Sequence, residues 1–145
     1  MPILNYTTEV SVDKTVNEIY RILTNAGAKQ VTFENDKGLV IAITFVVDLD
    51  GEPLAFRLEP NPEGILASMR RDNAPRRYQN NKQALRVAWR ILKNAVDAQM
   101  AIYQSQQADL AEIFIAHAVD RSGERFYKAF RESRLKQLTA GQAGK

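Results

Sequence analysis

Residues 39–58, LVIAITFVVDLDGEPLAFRL, decide the fold class of this chain. The first eleven of them read as a buried strand, whose one face would carry Leu39, Ile41, Ile43, Phe45 and Val47. The Asp-Gly pair at 50–51 is a strong hairpin signal. Residues 53–60, PLAFRLEP, then alternate apolar and other side chains. We therefore predict two adjacent antiparallel strands joined by a tight turn.

Upstream of this hairpin, the patterns predict two further strands and a helix. Residues 3–10, ILNYTTEV, read as a strand, and residues 11–27 read as a helix with Ser11 as its N-cap. Residues 28–35, AKQVTFEN, predict another strand, which the turn NDKG connects to Leu39. The resulting order is β-α-β-β-β. We expect a small, mainly antiparallel sheet with one helix across a face.

The second half of the chain is predicted to be an elongated set of three to four helices. Helices are expected at 61–72, from Asn80 to about Tyr103, at 108–119 and at 125–138. Between the first two lies a polar break, DNAPRRYQNN, in which Pro75 disfavours helix. We expect a single α+β domain over residues 1–138. The tail, residues 139–145, is expected to fray.

Composition excludes several classes of protein. The chain has no cysteine, which rules out disulfides, cysteine-based zinc sites and thiol nucleophiles. No apolar run approaches the roughly 20 residues of a membrane helix. The first residues lack the pattern of a secretory signal peptide. We therefore expect a cytoplasmic protein that has no membrane partner.

A basic segment at residues 70–93 is the main functional candidate. It holds eight Arg or Lys residues and one Asp, in a chain whose net charge is only +3. Such asymmetry favours a nucleic acid or another polyanion as partner. Arginine beside an aromatic ring suits phosphate binding and base stacking. The predicted binding residues are Arg70, Arg71, Arg76, Arg77, Tyr78, Lys82, Arg86, Trp89, Arg90 and Lys93.

Two structural alternatives compete with this interpretation. Trp89 lies between the basic stripe and the apolar face of its helix, so it is either a stacking platform or a core residue. If Trp89 is core, the stripe is simply a solvated face. The apolar face of residues 84–103 is wider than one sheet contact needs, and it predicts a homodimer or higher oligomer.

Catalysis and cofactors are not expected. His117 is the only histidine and has no obvious partner, and no nucleophile motif is complete. The acidic residues Asp48, Asp50 and Glu52 lack the spacing of a calcium loop and are best explained by a hairpin turn. We therefore predict a non-catalytic binding protein that uses neither a metal nor a cofactor.

Three stretches carry a resemblance to a known group of proteins: PLAFRLEPN, RRYQNNKQALRVAWRILKNAVDAQMAIYQ and ADLAEIFIAHAV. Over residues 38–119 the chain resembles small uncharacterised proteins of phages and other mobile elements. That resemblance implies an accessory role in nucleic-acid metabolism or in counter-defence. The alternatives are an inhibitor that binds an acidic or nucleic-acid-binding surface of a host complex, and capture of a phosphorylated small ligand between subunits.

Overall fold

The computed structural model describes residues 2–133, and they form an α+β fold around one antiparallel sheet. The strands are β1 (Lys29–Asp36), β2 (Leu39–Leu49), β3 (Glu52–Leu58) and β4 (Ala118–Val119), in the order β1-β2-β3-β4. The helices are α1 (Val12–Asn25), α2 (Pro62–Arg71), α3 (Asn81–Gln104), α4 (Leu110–Phe114) and α5 (Phe126–Ser133). The predicted α+β class is confirmed.

Both hairpins close with two-residue turns, as the sequence predicts. Asp36 pairs with Leu39 across the first turn, and Leu49 pairs with Glu52 across the second. The central residues of the second turn, Asp50 and Gly51, have φ values of 51° and 86°. Two positive φ angles define the turn type whose twist matches that of paired strands. Asp50 therefore serves the hairpin.

A β-bulge changes which β2 side chains are buried. Two steps along β2 oppose a single step along β1 between Glu34 and Asn35, so Ile41 is the extra residue. Beyond the bulge, Ile43, Phe45 and Val47 are buried as predicted. Before it, Val40 is buried while Leu39 is exposed, because the bulge shifts the alternation.

The predicted strand at residues 3–10 is wrong. This segment forms turns, in which the Tyr6 amide donates to the Ile3 carbonyl and Asn5 has a φ of 65°. Its carbonyls at Tyr6 and Thr8 accept hydrogen bonds from Gln83 Nε2, both at 2.9 Å. A side chain of α3 thus satisfies backbone groups that a sheet ladder would otherwise satisfy.

The fourth strand comes from the segment predicted as a helix at 108–119. That helix ends at Phe114, a short 3-10 turn follows, and Ala118 and Val119 pair with Phe56 and Ala55 of β3. The free edge of β3 offers backbone partners to Ala118 and Val119. Sheet pairing therefore overrides local helix propensity here.

Two hydrophobic clusters meet at α3. The larger one joins α1 and the inner face of the sheet to Leu85, Trp89, Val96 and Met100 of α3. The smaller one packs α2, through Ile65 and Met69, against α3. Helix α3 runs close to the bounds predicted for it and supplies both clusters, so it fixes the position of every neighbouring element.

The C-terminal predictions are met in part. Helix α5 confirms the predicted helix over Phe126–Ser133. The rest of that helix, the predicted domain end at residue 138 and the expected fraying tail lie outside the described residues. In the part of the chain that the structure describes, no helix is long and apolar enough to cross a membrane.

Candidate nucleic-acid interface

Trp89 is a core residue, which corrects its assignment to the binding surface. Its side chain is fully buried in the larger cluster, and its indole Nε1 donates to the Val40 carbonyl at 2.9 Å. Buried indoles normally find such a partner, and this one ties α3 to β2 beside the bulge. Trp89 therefore cannot stack on a base in this fold.

Arg90 and Lys93 also leave the predicted surface, because both face α1. Arg90 Nη1 lies 3.0 Å from Glu18 Oε2 and donates to Thr15 Oγ1 at 3.2 Å. Lys93 Nζ lies 3.7 Å from Glu18 Oε2 and 2.6 Å from Asp97 Oδ2. We call these five residues the α1–α3 seam. Their cations are neutralised within the chain.

The wide apolar face of α3 is likewise used within the chain. Of that face, Ala84, Leu85, Val87, Ala88, Val96 and Met100 are buried against the sheet, α1 or α2. Ile102 remains exposed at 39%. The reason given for an oligomer is therefore wrong, because two intramolecular surfaces explain the width of the face. The dimer itself stays a prediction.

Lys82 and Arg86, one helical turn apart on α3, remain partly available. Lys82 is exposed, and Arg86 is half-buried with Nη1 3.5 Å from Gln83 Oε1. Both line a small surface cleft of about 190 Å³ beside Ser11 and Asp13, at the start of α1. Asp13 offsets part of their charge, so these two residues are weaker candidates than the arginines that precede them.

The remaining predicted residues gather where α2 ends and α3 begins. We call residues 70–82 the α2–α3 tip. The four arginines of the tip are exposed, and they are Arg70, Arg71, Arg76 and Arg77. Arg71 Nε contacts Asp72 Oδ1 at 3.4 Å, the one ion pair at the tip among the described residues. The side chains of Arg70 and Arg76 make no hydrogen bond or ion pair to any residue that the structure describes.

The tip is ordered, although the sequence suggested a loop. Ala74 is buried in the smaller cluster, and its carbonyl accepts from Gln79 Nε2. Residues 76–78 form a 3-10 turn, and Asn80 caps α3 by accepting from the Gln83 amide at 2.8 Å. These contacts hold the backbone between the arginines, so binding would cost less ordering entropy than in a flexible loop.

Tyr78 is anchored at one ring edge and covered on one face. Its ring meets Tyr6 edge-on at 5.5 Å, and the Arg77 guanidinium lies 4.6 Å from the ring centroid. The side chain is half-buried in the smaller cluster. It therefore supports Arg77 through a cation–π contact more directly than it offers a stacking platform.

The arginines at 70 and 71 also have a structural role. They occupy the last turn of α2, where positive charge is stabilised by the helix dipole. Arg76 and Arg77 lie beyond the helix end and gain no such benefit. They are therefore the better indicators of a partner.

The acidic turn at residues 48–52 does not form a metal centre. Asp48 Oδ2 pairs with Lys29 Nζ at 2.7 Å, and Asp50 occupies the hairpin turn. Among the residues described, no group of three His, Asp or Glu side chains is placed to hold a metal ion.

Sequence reasoning missed the residues that neutralise the stripe. Glu18 lies on the exposed-looking side of the α1 pattern, about 70 positions before Arg90 and Lys93. One signal was present: Glu18 falls between two apolar positions, Val16 and Ile19, at the border of the buried face. Gln83, which binds the N-terminal segment, gave no comparable signal.

Comparisons of the chain with protein-family models, with curated proteins and with solved structures found no match. The resemblance to small phage proteins, and the roles in nucleic-acid metabolism or counter-defence that it implies, therefore stay predictions. The candidate site rests on its own geometry.

Proposed function

We propose that the protein binds nucleic acid through the α2–α3 tip, without chemistry on it. The observation that carries the proposal is the group of four exposed arginines on an ordered turn that includes one carboxylate. Arginine is suited to phosphate because its planar guanidinium donates two parallel hydrogen bonds. Arg70, Arg76 and Arg77 would contact phosphates, and Lys82 and Arg86 would extend the contact along α3.

The electrostatic contribution sets the expected behaviour. Phosphate contacts release counterions, so affinity falls with salt in proportion to the number of contacts. If about four phosphates of a duplex are contacted, the logarithmic salt slope is about −3.6, a roughly hundredfold loss from about 50 to about 200 mM salt. Little base discrimination is expected, because Trp89 and Tyr78 are not free to stack.

The test compares two triple charge reversals with equal change in net charge. The site variant is R70E/R76E/R77E, and the control is R21E/K37E/R121E, which changes three exposed cations elsewhere on the chain. Gel shifts with single- and double-stranded DNA and RNA are measured over a salt series. The site variant should lose at least about a hundredfold in affinity, while the control loses less than about tenfold.

Two outcomes would overturn the proposal. One is that wild-type protein binds none of these nucleic acids at low salt. The other is that the control variant loses as much affinity as the site variant, because binding would then follow net charge and not the tip. In the first case, the same arginines facing carboxylates of a host protein would be the reading to pursue.

A further inference from the structure

A cavity of about 490 Å³ lies between the sheet, α2, α3 and the start of α5, and the tip arginines do not line it. Its volume is in the range of small-molecule sites, which is about 300–1,000 Å³. The lining residues that matter for its chemistry come from five parts of the chain, and they are Ile41, Arg57, Glu59, Leu85, His117 and Arg125.

One corner of the cavity is positively charged. Within the described residues Arg125 pairs with no carboxylate, and its Nη2 makes a long contact of 3.4 Å to the Ala116 carbonyl. The nearby His117 ring is half-buried. Burial first, and the positive charge of Arg125 second, hold the pKa of His117 below its ordinary value of 6.5. The imidazole is therefore neutral at pH 7, with one nitrogen able to donate.

Arg57, the other arginine of the cavity, is already neutralised. Its Nη1 lies 2.7 Å from Glu34 Oε2, and its Nε lies 3.2 Å from Glu59 Oε2. Glu59 and Glu63 both line the cavity and are exposed. Their carboxylates would repel a ligand that carries two negative charges, whereas a single negative charge can be held at Arg125.

The rest of the lining is partly apolar. Leu85 is buried in the larger cluster and Ile41 is half-buried at the bulge, so both present hydrocarbon to the cavity. A ligand with one charged group and an apolar body would therefore meet complementary surfaces at both ends.

We propose that this cavity binds a small monoanionic carboxylate with an apolar body. The carboxylate accepts hydrogen bonds from the Arg125 guanidinium and from His117, and the apolar part lies on Ile41 and Leu85. This site is separate from the α2–α3 tip, so either proposal can fail while the other holds.

The sole histidine of the chain makes the test direct, since a single imidazole signal reports on the cavity. Proton NMR follows His117 during titration with isovalerate, isovaleramide, acetate and inorganic phosphate. Isovalerate should shift the signal saturably, with a dissociation constant of about 1 mM or lower. Bound isovalerate should also raise the pKa of His117, because an anion favours the protonated ring.

The other probes separate the parts of the proposal. Isovaleramide lacks the charge and acetate lacks the apolar body, so each should bind at least about tenfold more weakly than isovalerate. Phosphate should bind more weakly than isovalerate. Equal binding of the amide, tighter binding of phosphate, or no saturation by isovalerate would each overturn the assignment.

Arg125→Gln and Arg121→Gln form a matched pair, because both arginines are exposed and follow β4 but only Arg125 lines the cavity. Arg125→Gln should weaken isovalerate binding about tenfold or more, and Arg121→Gln should leave it unchanged. An equal loss in both variants would contradict the site. The pKa change of His117 in wild-type protein provides an independent readout if Arg125→Gln does not fold.

Discussion

The basic segment contains two regions of similar composition and opposite fate. In the α1–α3 seam, Arg90 and Lys93 have side chains that are 19% exposed, and both share the carboxylate of Glu18. At the α2–α3 tip, four arginines are exposed and one carboxylate lies beside them. The difference teaches that a cation's role depends on what the fold brings opposite it, since both regions look alike in the sequence.

The strongest way to break this comparison is to remove the residue that orients α3. Trp89→Ala should lower the free energy of unfolding by about 3–5 kcal/mol, because it leaves a large cavity beside Phe45 and β2. Trp89→Phe should cost less, about 1–3 kcal/mol, and leaves the Val40 carbonyl without its donor. Urea denaturation followed by circular dichroism measures both. An unchanged midpoint for Trp89→Ala would contradict the buried position.

The next prediction contrasts the regions by stability. Glu18→Gln should lower the free energy of unfolding by about 1–2 kcal/mol, between the values for exposed and fully buried pairs, since it leaves Arg90 without its carboxylate. Asp97→Asn removes a more exposed pair with Lys93 and should cost about 0.5 kcal/mol or less. Denaturant titration of the two variants decides. An equal cost for both would mean that the seam is no more than a solvated surface.

Charge changes at the tip should have the smaller effect on stability. R76E/R77E should change the free energy of unfolding by no more than about 0.5 kcal/mol, because both side chains are exposed and lie beyond the end of α2. Thermal unfolding at moderate salt is the measurement. A destabilisation of several kcal/mol would show that the tip arginines serve the fold, and it would remove the reason to assign them to a partner.

A pH effect of similar or smaller size is expected at the cavity. The folded pKa of His117 is lowered by burial and by Arg125, so the unfolded chain binds more protons below about pH 6.5. The stability from this residue is complete above pH 6.5 and is lost as pH falls toward the folded pKa. Comparing wild type with His117→Gln across this window should show the wild type gaining less stability at low pH. A difference that does not vary with pH would contradict the shift.

Local patterns were sufficient for the elements with strong internal signals. Both hairpins follow from NDKG and DLDGE, and α3 follows from its cap at Asn80 and its apolar spacing. These features depend on residues that are near one another in the chain. The α+β class follows from them.

The remainder depended on contacts between distant residues. The N-terminal segment looks like a strand, but Gln83 and the smaller cluster hold it as a series of turns. Ala118 and Val119 look helical, but the edge of β3 pairs with them. Glu18 neutralises the stripe from across a helix pair. In each case the deciding partner is more than 60 residues away, where periodicity carries no information.

The position of β4 has a consequence for how the chain acquires its structure during synthesis. Strands β1 to β3 are contiguous and need only two short turns, so they can pair early. Strand β4 joins β3 only after about sixty further residues, when α3 has already emerged. Until then the inner face of the meander and the edge of β3 are both uncovered. The interval between β3 and α3 is therefore when the nascent chain most needs protection from aggregation.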